Sequence, residues 1–426
     1  MSTLDSKQNN LAYQFLRLIY LCKWILLCSM IGAVVGSASA GFLISLEWVT
    51  QYREAHMWLI ALLPMAGLGI GLLYHFYGKN VESGNNLLID TIHHPAHNIP
   101  FRMAPFVYLG TMVTHLFGGS AGREGTALQM AGGLMDPIGR MLKLSDNDRR
   151  VLLIASVAAG FGSVFGTPLA GAVFSMEFFL TGKISYNAIF PAFLAAIMAN
   201  YVTVLWPAQH THYSIASIPA VNVLNLLYSL LAGIAFGLCA LLFSKSMHGL
   251  TALFKSKIAY PPFRPVVGGV IVALAVYALG TTQYIGLGIP TIVDSFSNMQ
   301  PIYVFVLKIA FTVLTLSAGF KGGEVTPLFF IGTTLGSALS CFIPLPTALL
   351  AGMGFVAVFA GATNTPLACM LMGIELFGVE SGVYIAMACV VAYLVSGHNS
   401  IYGKQRIGEA KSEHWKHHEG NSISEL

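Results

Sequence analysis

Apolar residues run along the chain in blocks: Ile19 to Leu46, Trp58 to Tyr77, Phe101 to Phe117, Ile189 to Trp206, Val223 to Phe243, Val266 to Leu279, Ile302 to Ala318 and Val383 to Val395. Several approach the ~20 residues a helix needs to cross a bilayer. Others are shorter and broken by Gly or Pro, which a membrane protein accepts where the freed backbone is buried in protein or lines a cavity. The pattern predicts an all-α polytopic membrane protein whose broken helices point to transport. Composition agrees: 55% of residues are hydrophobic and 9% charged, against about one-quarter charged in a soluble chain.

The net charge of +4 matters less than its placement, because Lys and Arg concentrate in cytoplasmic loops. Lys7, Arg17 and Lys23 put the N-terminus inside, and the segments 140–150 and 245–264 read as further cytoplasmic loops. Residues 207–222 carry no formal charge and read as external. The expected organisation is a cytoplasmic tail (1–18), a first transmembrane repeat (19–206), an external linker (207–222), a second repeat (223–402) and a cytoplasmic tail (403–426). No short apolar core leads to a small-residue cleavage site, so the first span is expected to be retained. Basic residues scattered at loop ends do not make a nucleic-acid face. Six cysteines without metal spacing, mostly within apolar stretches, imply neither zinc nor disulfides.

The chain matches itself. Thr167-Pro168-Leu169-Ala170 reappears as Thr365-Pro366-Leu367-Ala368, and Glu177 reappears as Glu375, both 198 positions on. Gly122-Arg123-Glu124-Gly125-Thr126 pairs with Gly322-Gly323-Glu324-Val325-Thr326, and Gly84 to Asp90 pairs loosely with Gly288 to Asp294. The charge map gives the first half an odd number of crossings, so the second is inverted. Inverted repeats with interrupted helices at matching positions point to a binding site at the bilayer midplane.

Glu124 lies in a glycine-rich turn, 118–126, that leads into an apolar run and so reads as a helix N-terminus. Such an end offers unpaired N–H groups and a positive dipole, an anion site without any lysine. The carboxylate can occupy that site, lose its attraction on protonation and swing away. One residue can then be gate and proton carrier; the blander reading is a local pair with Arg123. Glu324 occupies the equivalent turn, and Thr326 either donates to Glu324 or an anion, or caps the helix beginning at Pro327. The amides of Asn85 and Asn86 can donate to an anion, or serve only as a turn after Gly84. Tyr402 reads equally as an anion donor near the cytoplasm or as an interfacial anchor. Glu177 and Glu375 read as structural ends of two equivalent helices. His93, His94 and His97, interrupted by Pro95, read as a polar loop rather than a metal site, and no cofactor motif is present.

These motifs in this order resemble the CLC chloride channels and transporters over about Ile19 to Tyr402. Gly122-Arg123-Glu124-Gly125 looks like the gating-glutamate segment, Thr167 to Gly171 like the signature stretch after it, and Tyr402 like the inner-gate tyrosine. The resemblance implies a homodimer with one pathway per protomer, each an inverted pair of tilted, partly spanning helices. Three departures separate the chain from the chloride members: Asn85 in place of serine, Thr126 in place of proline, and Phe178 in place of the second, intracellular glutamate of the exchangers. Gly84-Asn85-Asn86, Gly-Arg-Glu-Gly-Thr and Gly-Gly-Glu-Val-Thr-Pro are similar to the fluoride–proton antiporter branch. That branch implies export of fluoride against protons, with Glu124 and Glu324 as gate and proton-transfer residues. It also implies an anion site from Asn85, Asn86, Gly122, Arg123, Gly125, Thr326 and Tyr402. A small anion whose dehydration must be offset by strong donors suits amides, hydroxyls and helix-end N–H groups. A chloride antiporter or passive anion channel is the nearest alternative. An intramembrane acid–base enzyme lacks a nucleophile, metal set or cofactor motif, and a structural or receptor-like protein leaves the repeated glycine–glutamate turns unexplained. The short segment after Tyr402 gives no room for a regulatory nucleotide-binding domain, and on that economy a bacterial inner membrane is expected.

Overall fold

A computed structural model describes residues 2–426, with side chains from residue 14 onward; Lys7 therefore falls outside the described side chains. Sixteen α-helices are present among the described residues, eight before the irregular segment 206–222 and eight after it. In the first half these are α1 (Ser2–Ala55), α2 (Leu63–Tyr77), α3 (Asn85–His93), α4 (Met103–Leu116), α5 (Glu124–Met141), α6 (Asp146–Phe165), α7 (Pro168–Glu177) and α8 (Ile189–Leu205). The second half repeats the order as α9 (Val223–Lys257), α10 (Phe263–Leu279), α11 (Ile289–Asp294), α12 (Tyr303–Ser317), α13 (Val325–Leu339), α14 (Thr347–Thr363), α15 (Pro366–Phe377) and α16 (Gly382–Val395).

Packing repeats too. α1 lies on α8 as α9 lies on α16, and α5 packs on α6 as α13 packs on α14. Between the halves, α2 meets α10 and α7 meets α15, each helix touching its own counterpart, as a twofold relation requires. Four stretches, Gln14–Ala55, Met57–Tyr77, Tyr186–Leu205 and Val223–Lys257, are long and apolar enough to cross a membrane. The other helices are mostly shorter.

Local sequence sets the helix ends. Ser145 caps α6 by accepting from the Asp148 N–H at 3.2 Å, and Gly166 stops the helix with φ 76°. Pro168 and Pro366 occupy the first turns of α7 and α15, where a missing N–H costs nothing. α14, and α6 beyond its charged first residues 146–150, are apolar all round and almost wholly buried, the pattern of a helix enclosed by others. α14 reaches α13 across glycines: a Cβ on Gly332 would fall 2.0 Å from the Gly354 carbonyl oxygen. The outer helices expose large apolar side chains such as Leu26, Trp48, Leu231 and Leu242, which lipid would cover.

The segment after Tyr402 is folded onto the protein rather than a plain tail. Strand β1 (Leu180–Thr181) pairs in parallel with β2 (Arg406–Ile407). The Gln405 amide donates to the Phe178 and Thr363 carbonyls at 2.9 and 2.8 Å, and the Lys411 ammonium donates to Asn364 Oδ1 at 2.6 Å.

Candidate functional site

The two glycine turns meet. Gly122 and Gly323 form an antiparallel bridge, Gly122 N–H donating to the Gly323 carbonyl at 2.6 Å and Gly323 N–H to the Gly122 carbonyl at 2.8 Å. Only glycine fits: a Cβ on Gly122 would lie 2.8 Å from Pro327 Cδ, and one on Gly323 would lie 2.6 Å from the Gly125 nitrogen. This seam brings the N-termini of α5 and α13 together, and with them Glu124 and Glu324.

Glu124 is fully buried, and its carboxylate is held by both turns. The Thr326 hydroxyl donates to Oε1 at 2.6 Å or Oε2 at 2.7 Å, and the Thr326 N–H donates to Oε2 at 3.0 Å. From its own side come the Arg123 N–H at 3.2 Å and the Arg123 Nε at 3.4 Å. Thr326 is the second residue of α13, so the carboxylate of one half caps a helix of the other. Charge-assisted bonds of this kind contribute about 1.5–3 kcal/mol each. The local pair with Arg123 is present, and the shorter bonds are those to Thr326.

Glu324 differs. The residue is half-buried, yet its Oε2 is enclosed and has no hydrogen-bond partner. The same holds for Asn85 Oδ1 and for the Tyr402 hydroxyl, on residues 7% and 2% exposed. Asn85 and Glu324 converge on Gly125, where an added Cβ would sit 2.9 Å from Asn85 Nδ2 and 3.5 Å from Glu324 Oε2. Tyr402 stands edge-on to Phe178, ring centres 6.1 Å apart. Unpartnered buried polar atoms are rare and call for a ligand or water. Two of the three, Asn85 Oδ1 and Glu324 Oε2, belong to side chains that meet at Gly125, next to Glu124.

One residue expected at the anion site has its donor otherwise engaged. Both backbone polar groups of Gly122 bond to Gly323, so its N–H cannot donate to an ion. Asn86 accepts the Lys404 N–H on Oδ1 at 3.0 Å and ties the start of α3 to the segment just after Tyr402, while its amide N–H groups make no hydrogen bond among the described residues. Tyr402 is buried, which excludes an interfacial anchor. The three histidines each take a separate partner: His93 the Phe179 carbonyl, His97 Asp90, and His94 Arg406.

Glu177 and Glu375 have a precise structural task. Glu177 accepts from the Leu367 and Ala368 N–H groups at 3.3 and 3.0 Å, capping α15. Glu375 accepts from Leu169 and Ala170 at 3.0 and 2.8 Å, capping α7. Each half staples the other. A roomy cavity of about 510 Å³ beside this staple is lined by Glu177, Lys183, Tyr186, Pro366 and Tyr393 among others, and neither Glu124 nor Tyr402 borders it.

The sequence pattern described as "Voltage gated chloride channel" matches residues 66–397. The chain belongs to this family. A "Chloride/fluoride channel protein" of Pseudomonas syringae pv. tomato is 51% identical over 405 residues, 94% of this chain and 88% of that protein. An "H(+)/Cl(-) exchange transporter ClcA" of Cronobacter sakazakii is 28% identical over 388 residues, covering 83% of this chain and 81% of its own. Among solved structures, a "CLC-type fluoride/proton antiporter" superposes with a TM-score of 0.88 at 35% identity, over 91% of this chain and 98% of that one. The chain is therefore an integral membrane protein of the chloride-channel family with the inverted-repeat fold its sequence predicts.

One set of buried groups escaped the sequence reading: Arg53, His115 and Lys308. Lys308 stands alone in the apolar block 302–318. A single charge in the middle of a membrane segment is itself a signal.

Proposed function

We propose that this protein exports fluoride in exchange for protons, with Glu124 as both gate and proton carrier. The observation that carries the reading is the Glu124 carboxylate seated on the α13 N-terminus, held by the Thr326 N–H and hydroxyl, where an anion would otherwise bind. Ionised, Glu124 fills the seat. Protonated, it loses most of its attraction for the helix end, swings out and carries its proton, and the Thr326 donors pass to the incoming ion. Arg123, Gly125, Asn85 and Tyr402 border the route, Asn85 and Tyr402 donating from amide and hydroxyl. Glu324, with its unpartnered oxygen, is the second titrating group that ties anion movement to proton movement. The similarity to a fluoride/proton antiporter structure and to a chloride/fluoride channel protein supports the choice of ion.

In this reading the N-terminus and the segment after Tyr402 face the cytoplasm, 207–222 faces outward, two protomers associate with one pathway each, and the membrane is a bacterial inner membrane. Purified protein in liposomes, followed with a fluoride electrode and a pH probe, tests the reading: a fluoride gradient drives protons the other way. Glu124→Gln abolishes the proton flux. Coupled exchange of wild-type strength in that variant would refute the gate. The name of the Pseudomonas relative favours a second reading, passive fluoride or chloride conduction, which proton-free flux in the unaltered protein would select.

A further inference from the structure

The Tyr402 hydroxyl is enclosed and makes no hydrogen bond, so the placement of its phenol rests on what holds its backbone and its neighbours. Those holds come from non-helical residues. The Tyr402 N–H donates to Ser400 Oγ at 3.1 Å, the Gln405 N–H donates to the Tyr402 carbonyl at 3.1 Å, and the Ile401 N–H donates to the Ala362 carbonyl at 2.9 Å. Gln405 is fully buried, and every polar group on it is used. Its side-chain amide donates to the carbonyls of Thr363 and of Phe178, whose ring stands edge-on to Tyr402. Its own carbonyl accepts the Ile423 N–H at 2.9 Å, and its Oε1 accepts Asn364 Nδ2 at 3.0 Å. One residue therefore ties Tyr402 to Phe178.

Asn364 is the hub of these bonds. It is fully buried at the end of α14, where Nδ2 also donates to the Asn399 carbonyl at 3.2 Å and Oδ1 accepts the Lys411 ammonium. That ammonium is caged further by the Tyr393 and Gly397 carbonyls and lies 3.8 Å over the Tyr393 ring. Asn364 stands in the left-handed region at φ 58°, and its counterpart 198 positions earlier is Gly166 at φ 76°. Glycine adopts that conformation freely, whereas a residue with a Cβ adopts it at a cost. The second half bears the cost, and the side chain it retains makes bonds to Asn399, Gln405 and Lys411 that glycine could not. A buried polar network whose members are all satisfied is rigid and specifies one arrangement.

We propose that Asn364 and Gln405 are positioning residues for Tyr402, and that the segment 403–411 is a clamp that holds the phenol against Phe178 on the cytoplasmic side of the ion route. The clamp rests on the reading above that puts Tyr402 beside that route. While it is closed, the phenol keeps one position as Glu124 leaves and re-enters its seat. Once it is loosened, fluoride slips past without its proton.

Asn364→Gly, Gln405→Met, Tyr402→Ala and the two double variants with Tyr402→Ala are reconstituted beside wild type, and fluoride moved per proton is read with a fluoride electrode and a pH probe. Asn364→Gly keeps the left-handed turn and Gln405→Met keeps the side-chain length, so each removes bonds with little change of shape; thermal unfolding checks folding. Each of these two raises fluoride per proton about fivefold, the weight of one hydrogen bond, and Tyr402→Ala raises it at least as much. On the Tyr402→Ala background neither changes it further, the non-additivity of residues that act as one unit. A ratio within about twofold of wild type in both single variants overturns the proposal, and a lowered unfolding temperature beside that ratio marks a scaffold. So do effects that multiply on the Tyr402→Ala background, because the two residues would then act elsewhere. If Gln405→Met does not fold, Asn364→Gly decides. Wild-type coupling in Tyr402→Ala removes Tyr402 from the route and the clamp with it, and leaves the Glu124 gate standing. If the unaltered protein moves fluoride without protons, the antiport reading fails by itself, and half-saturating fluoride in the same set of proteins tests the clamp by the same non-additivity.

Discussion

Two pairs of carboxylates stand at equivalent places in the two halves, and they behave differently. Glu177 and Glu375 each cap the opposite half's Pro-started helix with two N–H bonds, so twofold symmetry is kept. Glu124 and Glu324 break it. Glu124 caps α13 through Thr326, whereas Glu324 leaves Oε2 unpartnered. The counterpart of Thr326 is Thr126, and its hydroxyl bonds to Thr111 at 2.7 Å instead of reaching across. One physical device, a carboxylate on a foreign helix end, appears in both pairs, as a symmetric staple in one and, in the function proposed above, as a seat that can be vacated in the other. In the first pair every carboxylate oxygen has an N–H partner; in the second, Glu324 Oε2 has none.

The sharpest way to break the comparison is to remove the titrating group from the asymmetric pair. Glu124→Gln loses proton coupling by an order of magnitude or more, roughly the value of one charge-assisted bond, as read by simultaneous fluoride and pH recording. Thr326→Val keeps the side-chain shape but deletes the hydroxyl donor, and shifts the seat toward vacancy by about tenfold, seen as extra fluoride flux per proton. Thr126→Val, at the symmetric position, leaves that ratio at the wild-type value; an equal effect of the two threonines would erase the asymmetry argued here. Glu177→Gln and Glu375→Gln weaken one cap each, by about 1 kcal/mol, and lower the unfolding temperature by similar amounts while the proton ratio holds. A change in coupling from either would turn the staple into part of the transport path. The smallest effect belongs to Asn86→Ala, which releases the Lys404 N–H and lowers the maximal rate by less than about threefold by loosening the approach to Tyr402.

The fold was legible where covalent pattern and physical need coincide. A glycine turn before an apolar run announces a helix start, and the same turn at a constant offset announces a duplicated unit, so Glu124 and Glu324 were visible from the chain alone. Thr167-Pro168 and Thr365-Pro366 marked the stapled helices for the same reason. The partners of Glu177 and Glu375 were not visible, because a carboxylate at a helix end carries no sign of which helix, 190 residues away, will supply its N–H groups. The bonds of Gly122 stayed hidden likewise: a glycine that offers its N–H to an ion reads the same as one that offers it to another glycine. The segment after Tyr402 has no apolar period, and it is ordered by scattered bonds from Gln405 and Lys411 to carbonyl and amide oxygens. Lys308 was in plain view, and only a rule about lone charges would have found it.

The glycine bridge between the halves limits how far the two copies can diverge. Around it the duplicated turns have already drifted, Arg123 facing a glycine and Gly125 a valine in the other copy. At Gly122 and Gly323 themselves a single added methyl meets backbone or proline on the far side. A mutational library across these turns should therefore tolerate replacements at neighbouring codons and reject every one at these two, whatever ion is being selected for.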